Sequence, residues 1–193
     1  IGRVPLGNAA DVDAAVSAAK AAFETWSTTD REVREKYLRE IQTKLGERSK
    51  EIATLISQEV GMPIVSAEFI QAGLAVAEFG NAADSLSQID WEQQIGNSLV
   101  VREPVGVVAA ITPWNYPLYL IACKVAPALA AGCTVVLKPS ELTPMSTIKL
   151  AELAADIFPA GVLNVVCGDG TQAGVPLTTH RDVAMVSLTG SVG

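Results

Sequence analysis

The sequence predicts an α/β protein with a doubly wound, Rossmann-like parallel β-sheet, preceded by a helical N-terminal segment. Beyond Pro104, four short apolar runs rich in β-branched residues alternate with stretches of helix-forming composition. The runs show no alternation of polar and apolar residues, which indicates strands buried on both faces, as in parallel sheets. Their starts recur at roughly 20–30 residues, the repeat length of βαβ units, and right-handed crossovers then place helices on both sides of the sheet.

The N-terminal part of the chain, residues 1–90, has the pattern of helices. Asn8 is expected to cap a helix that starts at Ala9. A second helix is expected to begin after residue 29 or 30, because one apolar stripe recurs every four residues among charges, at Val33, Tyr37, Ile41 and Leu45. A third helix, rich in small residues, is expected from Ile64 to Ser87.

The sheet half is expected to begin with the β-like segment Ser98–Glu103, which Pro104 closes. The expected strands are Val105–Ile111, Thr134–Leu137, Val162–Val166 and Val183–Leu188, and the expected helices are Leu118–Ala131, Met145–Phe158 and Gly170–Thr178. No linker rich in Pro, Ser or Gly separates the two halves. We therefore expect residues 1–97 to form a helical segment that packs on a Rossmann-like half, residues 98–193.

Composition excludes several classes of partner. The 193 residues carry a net charge of −7, which gives no electrostatic reason to bind nucleic acid or an anionic membrane. Neither a signal peptide nor a transmembrane segment is expected. Three cysteines without a C-x-x-C pair argue against disulfides and a cysteine zinc site, and a single histidine, His180, excludes a histidine metal cluster. We expect no metal and a cytoplasmic protein.

Ligands of open parallel sheets bind beyond the carboxyl ends of the strands, so the residues after each apolar run are the candidates for chemistry. The first run is followed by Thr112-Pro113-Trp114-Asn115-Tyr116-Pro117. Two prolines stiffen this loop, and the Asn115 amide could stabilise an oxyanion during acyl chemistry. Alternatively, Asn115 only satisfies a turn.

The second run is followed by Lys138-Pro139-Ser140-Glu141. A cation and a carboxylate at this spacing can bind a phosphate and a ribose diol at the same time. Alternatively, they form a surface ion pair, and Ser140 caps the helix that begins near Pro144.

Two glycine-containing turns follow the remaining runs. Residues 168–173 match G-x-G-x-x-A, the dinucleotide fingerprint, but that motif belongs to the first βα turn and is followed by an acidic residue about 20 positions on. A tight glycine turn beside a cofactor is therefore the prediction here. Thr189-Gly190-Ser191-Val192-Gly193 either forms an anion site at a helix start or is a short turn without a ligand.

The ordered set of these motifs resembles the aldehyde dehydrogenase superfamily over essentially the whole chain. The residues that carry the resemblance are Val4-Pro5-Leu6-Gly7, Glu103-Pro104-Val105-Gly106-Val107-Val108, Thr112-Pro113-Trp114-Asn115-Tyr116-Pro117, Pro127-Ala128-Leu129-Ala130-Ala131-Gly132-Cys133, Lys138-Pro139-Ser140-Glu141 and Leu188-Thr189-Gly190-Ser191.

The resemblance implies NAD-dependent oxidation of a small aldehyde to a carboxylic acid, in an enzyme that is a homo-oligomer at full length. Asn115 is then the oxyanion-hole amide, and Lys124 belongs to the active-site region, in proton relay or as a structural lysine. The implied cofactor-binding residues are Ile111, Thr112, Pro113, Trp114, Lys138, Ser140, Glu141, Gly170, Gly190 and Ser191. A carboxylate on the ribose diol repels a 2′-phosphate, so Glu141 favours NAD over NADP.

The family's general-base glutamate and nucleophilic cysteine have no counterpart in this sequence, because Cys123, Cys133 and Cys167 all lie in apolar surroundings typical of core residues. We therefore expect a truncated chain that lacks the catalytic domain, supplies the cofactor site and is inactive alone. The alternatives are a CoA-acylating semialdehyde dehydrogenase, a catalytically inactive nucleotide-binding or interaction fragment, and an unrelated nucleotide-binding domain. An unpaired apolar edge of the sheet is expected to aggregate or to require a partner.

Overall fold

The computed structural model describes residues 1–191, and Val192 and Gly193 of the glycine–serine turn lie outside the described residues. The α/β class and the parallel sheet are confirmed. In chain order the elements are α1 (Ala9–Trp26), α2 (Arg31–Glu47), α3 (Ser49–Val60), α4 (Ile64–Ser66), a π-helical segment (Ala67–Gly73), α5 (Leu74–Ser85), β1 (Glu92–Ile95), β2 (Ser98–Val101), β3 (Val107–Ile111), α6 (Tyr119–Ala130), β4 (Thr134–Lys138), α7 (Met145–Ala155), β5 (Leu163–Val165), a second π-helical segment (Gly170–Gly174), α8 (Val175–Thr179) and β6 (Val183–Leu188).

The first helix begins as its sequence predicts. The Asn8 side chain accepts a hydrogen bond from Ala10 N at 2.8 Å, and the Asp11 carboxylate accepts one from Asn8 N at 2.9 Å. This reciprocal capping box satisfies N–H groups that have no partner within the helix. The start of α1 at Ala9 is therefore confirmed.

The buried stripe of α2 differs from the predicted apolar one at its first two positions, and Tyr37 is only partly buried. Val33 is exposed, whereas Arg34 is buried, together with Leu38, Ile41 and Leu45. The buried stripe follows the 3.6-residue period of the helix more closely than a strict four-residue spacing does. The inclusion of Val33 was therefore wrong.

The helix expected from Ile64 to Ser87 is three consecutive helical segments that end at Ser85. Its middle segment, Ala67–Gly73, is π-helical. π-Helical turns are rare and are frequent at functional sites. Within this one, Ala67, Gln71 and Ala72 are buried.

The strand β2 pairs with β1 in an antiparallel hairpin that the sequence did not indicate. All eight residues of the two strands are exposed, so no alternation of apolar and polar residues marks β1. The predicted boundary between residues 97 and 98 falls in the turn of this hairpin.

The parallel sheet has the strand order β5-β4-β3-β6. The strands β3 and β4 are almost wholly buried, as predicted. The prediction of burial on both faces was wrong for β6, where Met185, Val186 and Leu188 are 50%, 40% and 55% exposed. This strand pairs only with β3 in the described chain and therefore lies at an edge of the sheet.

The core has two parts, one on each face of the sheet. Val108 and Ala110 of β3 face a large cluster built with α2, α3, α5, α6 and α7. Val107 and Ala109 face a smaller cluster with α1 and α8. Successive residues of a strand point to opposite faces, so this division gives the sheet its two covered sides.

None of the described helices is long and apolar enough to cross a membrane. Residues 1–191 contain no group of three or more His, Cys, Asp or Glu side chains placed to hold a metal ion.

Candidate active site

The strands β3, β4 and β6 end at the same edge of the sheet, and a cleft of about 750 Å³ lies beyond their carboxyl ends. All ten residues predicted to bind a cofactor line this cleft, and so does Asn115. Leu188 and Thr189, which precede the predicted glycine–serine turn, also line the cleft, as does Gly174. The sequence did not single out its remaining walls, formed by Leu120, Val175 and Thr178.

The loop after β3 is held through its backbone. Thr112 N donates to Lys138 O at 3.2 Å, Thr143 Oγ1 donates to Trp114 O at 3.0 Å, and Gln71 Nε2 donates to Asn115 O at 3.2 Å. The side chains of Trp114 and Asn115 are exposed on the cleft. The Asn115 amide makes no hydrogen bond to any described residue, which does not support the alternative that it only satisfies a turn.

Lys138 and Glu141 form an asymmetric pair at the end of β4. The Lys138 side chain is only 4% exposed and that of Glu141 is 52% exposed, with 3.9 Å between Nζ and Oε2. Lys138 Nζ also donates to Pro139 O at 2.9 Å. Burial lowers the pKa of Lys138, against the raising effect of the Glu141 carboxylate.

The N-terminus of α7 is capped by a residue that sequence reasoning missed. Glu59 accepts from Met145 N at 2.6 Å and from Ser146 N at 3.0 Å. Ser140 Oγ instead accepts from Leu142 N within the preceding turn, so the alternative that Ser140 caps this helix is wrong.

Glycines at this edge differ in what they contact. A Cβ on Gly168 would lie 2.7 Å from Ala173 Cβ and 2.9 Å from Gly7 O, so packing requires this glycine. A Cβ on Gly170 or Gly190 would meet nothing within 4 Å, and neither residue has a positive φ. Neither protein packing nor backbone conformation therefore explains the last two glycines.

Lys124 lies outside the cleft. Its Nζ is 3.3 Å from Ser187 Oγ, in a separate groove of about 390 Å³ between α6 and β6 that Cys123 and Cys133 also line. Burial lowers the pKa of Lys124, against the raising effect of Cys123. The hydrogen bond to Ser187 fits the alternative of a structural lysine, and proton relay stays a prediction.

The three cysteines also lie outside the cleft. All are free thiols, with Cys133 and Cys167 buried and Cys123 partly buried. Burial raises the pKa of the Cys123 and Cys167 thiols. Such thiols do not have the lowered pKa of a nucleophilic cysteine.

Gln71 and Glu59 reach this edge from the N-terminal helices. Gln71 carried a weak signal, as a polar residue four positions from Ala67 and from Ala75 on an otherwise small and apolar face. Glu59 carried none, because its partners on α7 are 86 and 87 residues away.

Comparison with known proteins gives a match to the aldehyde dehydrogenase family over residues 1–193. A 3-succinoylsemialdehyde-pyridine dehydrogenase from a Pseudomonas species is 46% identical over 193 residues, which cover 99% of this chain and 40% of that protein. Aminoaldehyde dehydrogenase 2 of Pisum sativum is 43% identical over 205 residues, which cover 99% of this chain and 41% of the relative. The chain thus spans about 40% of the length of the curated relatives that it matches.

Two solved structures have the same fold over this region. A mutant aldehyde dehydrogenase C of Pseudomonas syringae, complexed with NAD⁺ and octanal, superposes with a TM-score of 0.93 at 48% identity. It is matched over 95% of this chain and 38% of that chain. A betaine aldehyde dehydrogenase of Staphylococcus aureus in complex with NAD⁺ has a TM-score of 0.93 at 36% identity, over 97% of this chain and 39% of that chain.

Proposed function

Because this chain belongs to the aldehyde dehydrogenase family, we propose that it supplies the NAD site and the oxyanion-stabilising amide of an enzyme that oxidises an aldehyde to a carboxylic acid. One observation carries the proposal. The Trp114–Asn115 turn and the Lys138–Glu141 turn, which follow different strands, line a single cleft.

The residues of the cleft fit a dinucleotide. Its volume of about 750 Å³ lies in the range of small-molecule sites. Thr112 Oγ1 is buried in its wall without a hydrogen-bond partner, and a polar ligand would satisfy it. Gly170 and Gly190 leave open space where a ligand can approach the backbone closely.

Lys138 and Glu141 would hold the adenosine ribose, with the lysine donating to the sugar and the exposed carboxylate accepting from its hydroxyls. The carboxylate repels a 2′-phosphate, which favours NAD over NADP. Neighbouring aldehyde dehydrogenases contain NAD⁺, which supports a nicotinamide cofactor.

Asn115 would donate its amide N–H to the aldehyde oxygen as that oxygen gains negative charge, because the side chain is exposed on the cleft and has no partner to give up. A nicotinamide held in this cleft would supply the hydride acceptor for the oxidation, once a nucleophile has added to the aldehyde carbon. The three cysteines lie outside the cleft, so we expect the nucleophile to come from residues other than these.

The test is NAD binding by the 193-residue chain, measured by calorimetry, together with turnover of NAD and simple aldehydes. We expect saturable binding without turnover and, for Glu141→Ala, binding that is about tenfold weaker because a charge-assisted contact to the ribose is lost. Glu152→Ala is the matched control, since Glu152 is also an exposed carboxylate paired with a lysine. Absence of binding, or equal binding by both variants, would contradict the proposal.

The remaining properties follow from the same proposal. We propose a small aldehyde as substrate, a homo-oligomer as the full-length form, no nucleic-acid partner and a cytoplasmic location. The net charge of −7 supports the absence of a nucleic-acid partner, and the three free cysteines support the cytoplasmic location.

A further inference from the structure

A second polar cleft, of about 460 Å³, lies between the start of α2 and the base of the β1–β2 hairpin. Arg34 of α2 lines it, next to Gly132, where a Cβ would lie 2.5 Å from Arg34 Nη1. Gly132 precedes β4, so this cleft is at the amino end of the sheet, whereas the candidate active site is at the carboxyl end.

The side chain of Arg34 is buried and forms no hydrogen bond or ion pair with any described residue. It is only 5% exposed, and its Nε makes no hydrogen bond to any described residue. The ion pairs that arginines form within residues 1–191 involve Arg39, Arg48 and Arg181. A buried guanidinium without an ion-pair partner is costly. Burial lowers the pKa of Arg34, against smaller raising effects of the Asp30 and Glu32 carboxylates.

Two further features of the cleft favour an anion. Asp30, which precedes α2, makes no side-chain capping bond. Val33 N and Arg34 N donate to Asp30 O, whereas the N–H groups of Arg31 and Glu32 form no hydrogen bond to any described residue, so these two amides and the positive end of the helix dipole stay available. Arg31 adds a second guanidinium, and the Cζ atoms of Arg31 and Arg34 lie 5.3 and 5.9 Å from the centroid of the Trp91 ring. Stacking on this ring holds the two cations in place beside the cleft.

The cleft also has an acidic rim, formed by Asp30, Glu32, Glu92 and Glu103. All four carboxylates are exposed, and none forms an ion pair with an arginine of the cleft. Because these carboxylates are exposed, water weakens their field; Asp30 and Glu32 still raise the pKa of Arg34, but less than burial lowers it. The rim therefore restricts the site to small anions, because a large polyanion would meet the four carboxylates.

We propose that this cleft is a binding site for a small oxyanion, a phosphate or the carboxylate of a small molecule, held by the Arg34 guanidinium and the first turn of α2. A carboxylate and a phosphate each present two oxygen atoms on one central atom, and a guanidinium can donate two parallel hydrogen bonds to such a pair. The proposal is independent of the function proposed for the other cleft.

The test is equilibrium dialysis of radiolabelled inorganic phosphate against the 193-residue chain at constant ionic strength. We expect one saturable site, with binding about tenfold weaker in Arg34→Lys, which keeps the charge but loses the two-pronged geometry. Arg39→Lys is the matched control, because Arg39 is on the same helix in surface ion pairs, and its phosphate binding should equal that of the wild type. Absence of saturable binding, or equal binding by Arg34→Lys, overturns the proposal.

Three further measurements keep the proposal testable if Arg34→Lys does not fold. In the wild type, phosphate should slow hydrogen exchange in residues 28–34 and leave residues 112–117 unchanged, and the reverse pattern overturns the proposal. Saturating NAD should leave phosphate binding unchanged, whereas competition by NAD would place the phosphate in the other cleft. Displacement of bound phosphate by acetate would show that the site also takes carboxylates, and no displacement would show a preference for phosphate. Displacement by chloride at equal concentration overturns the proposal.

Discussion

The amine of Lys138 has little access to water. Its side chain is 4% exposed, and its hydrogen bond goes to the neighbouring Pro139 carbonyl. A buried cation lowers stability unless a partner compensates it, and the nearest carboxylate, that of Glu141, is 3.9 Å away. This arrangement supports the proposed role of Lys138 in binding a ligand.

We predict a pH-dependent stability difference between the wild type and Lys138→Met. Burial lowers the pKa of Lys138 below its ordinary value of 10.5, so the unfolded chain binds more protons as the pH approaches 10.5. The free energy of unfolding of the wild type should therefore rise relative to that of the variant in this window. Urea denaturation over a pH series measures the difference.

Lys149→Met is the control with the opposite sign. Hydrogen bonds to Glu152 and Glu51 raise the pKa of Lys149 above 10.5, so its stabilisation is present below that pH and is lost as the pH rises through the folded-state value. A pH-independent difference for Lys138→Met would contradict the first prediction.

Gln71 connects the π-helical segment to the candidate oxyanion loop. It is fully buried, its Nε2 donates to Asn115 O, and its Oε1 has no partner. Gln71→Met removes the hydrogen bond together with the unsatisfied oxygen, so we predict a change in the free energy of unfolding below about 1 kcal/mol. Hydrogen exchange in residues 112–117 should nevertheless become about tenfold faster, because the loop loses one of its anchors.

Exchange in α3 and α7 is the internal control for this variant and should not change. Equal exchange of the loop in both proteins would show that Gln71 does not hold it.

At the scale of elements, α7 depends on a residue from a distant helix. Glu59 near the end of α3 accepts hydrogen bonds from the first two amides of α7, where a carboxylate also interacts favourably with the helix dipole. The turn that carries Ser140 and Glu141 leads into α7, so Glu59 fixes one end of a wall of the candidate active site.

We predict that Glu59→Ala lowers the free energy of unfolding by about 1 kcal/mol, the typical cost of a lost N-terminal cap. Glu59→Gln should fall in between, since an amide oxygen still accepts but carries no charge. Chemical denaturation gives both values, with Glu152→Ala as the surface control expected to stay within about 0.5 kcal/mol of the wild type. A Glu59→Ala variant as stable as this control would contradict the prediction.

An element could be predicted from the sequence when the pattern of its apolar and polar residues reflects its burial. The strands β3 and β4 are continuous apolar runs because both faces of each are covered, and their positions were predicted. The hairpin strand β1 has the sequence Glu92-Gln93-Gln94-Ile95, and all four residues are exposed, so no burial pattern marks it. The strand β6 resembles a buried strand in composition, and only the strand order shows that it lies at an edge.

At the scale of the whole molecule, the candidate site was predictable where it follows from topology. Parallel strands bring their carboxyl ends to one edge, so residues after β3, β4 and β6 meet without any knowledge of side-chain contacts. The contacts that support the site were not predictable. Gln71 and Glu59 act across 44 and 86 residues of chain, and no local pattern records such a pairing.

The same topology leaves β6 with one neighbouring strand in the described chain and with exposed apolar side chains. An edge strand with free backbone groups and apolar side chains pairs readily with another chain. We therefore predict that the 193-residue chain self-associates in sedimentation velocity experiments as its concentration is raised. Val186→Lys, which places a charge on this edge, should shift the protein toward monomer.

Leu6→Lys is the control for Val186→Lys, because Leu6 is also an exposed apolar residue, 62% exposed against 40% for Val186, and lies in no strand. It should associate as the wild type does, since the added charge is the same and only its position differs. A wild-type chain that stays monomeric at all concentrations and melts in one cooperative transition would contradict the prediction, because the edge would then need no partner.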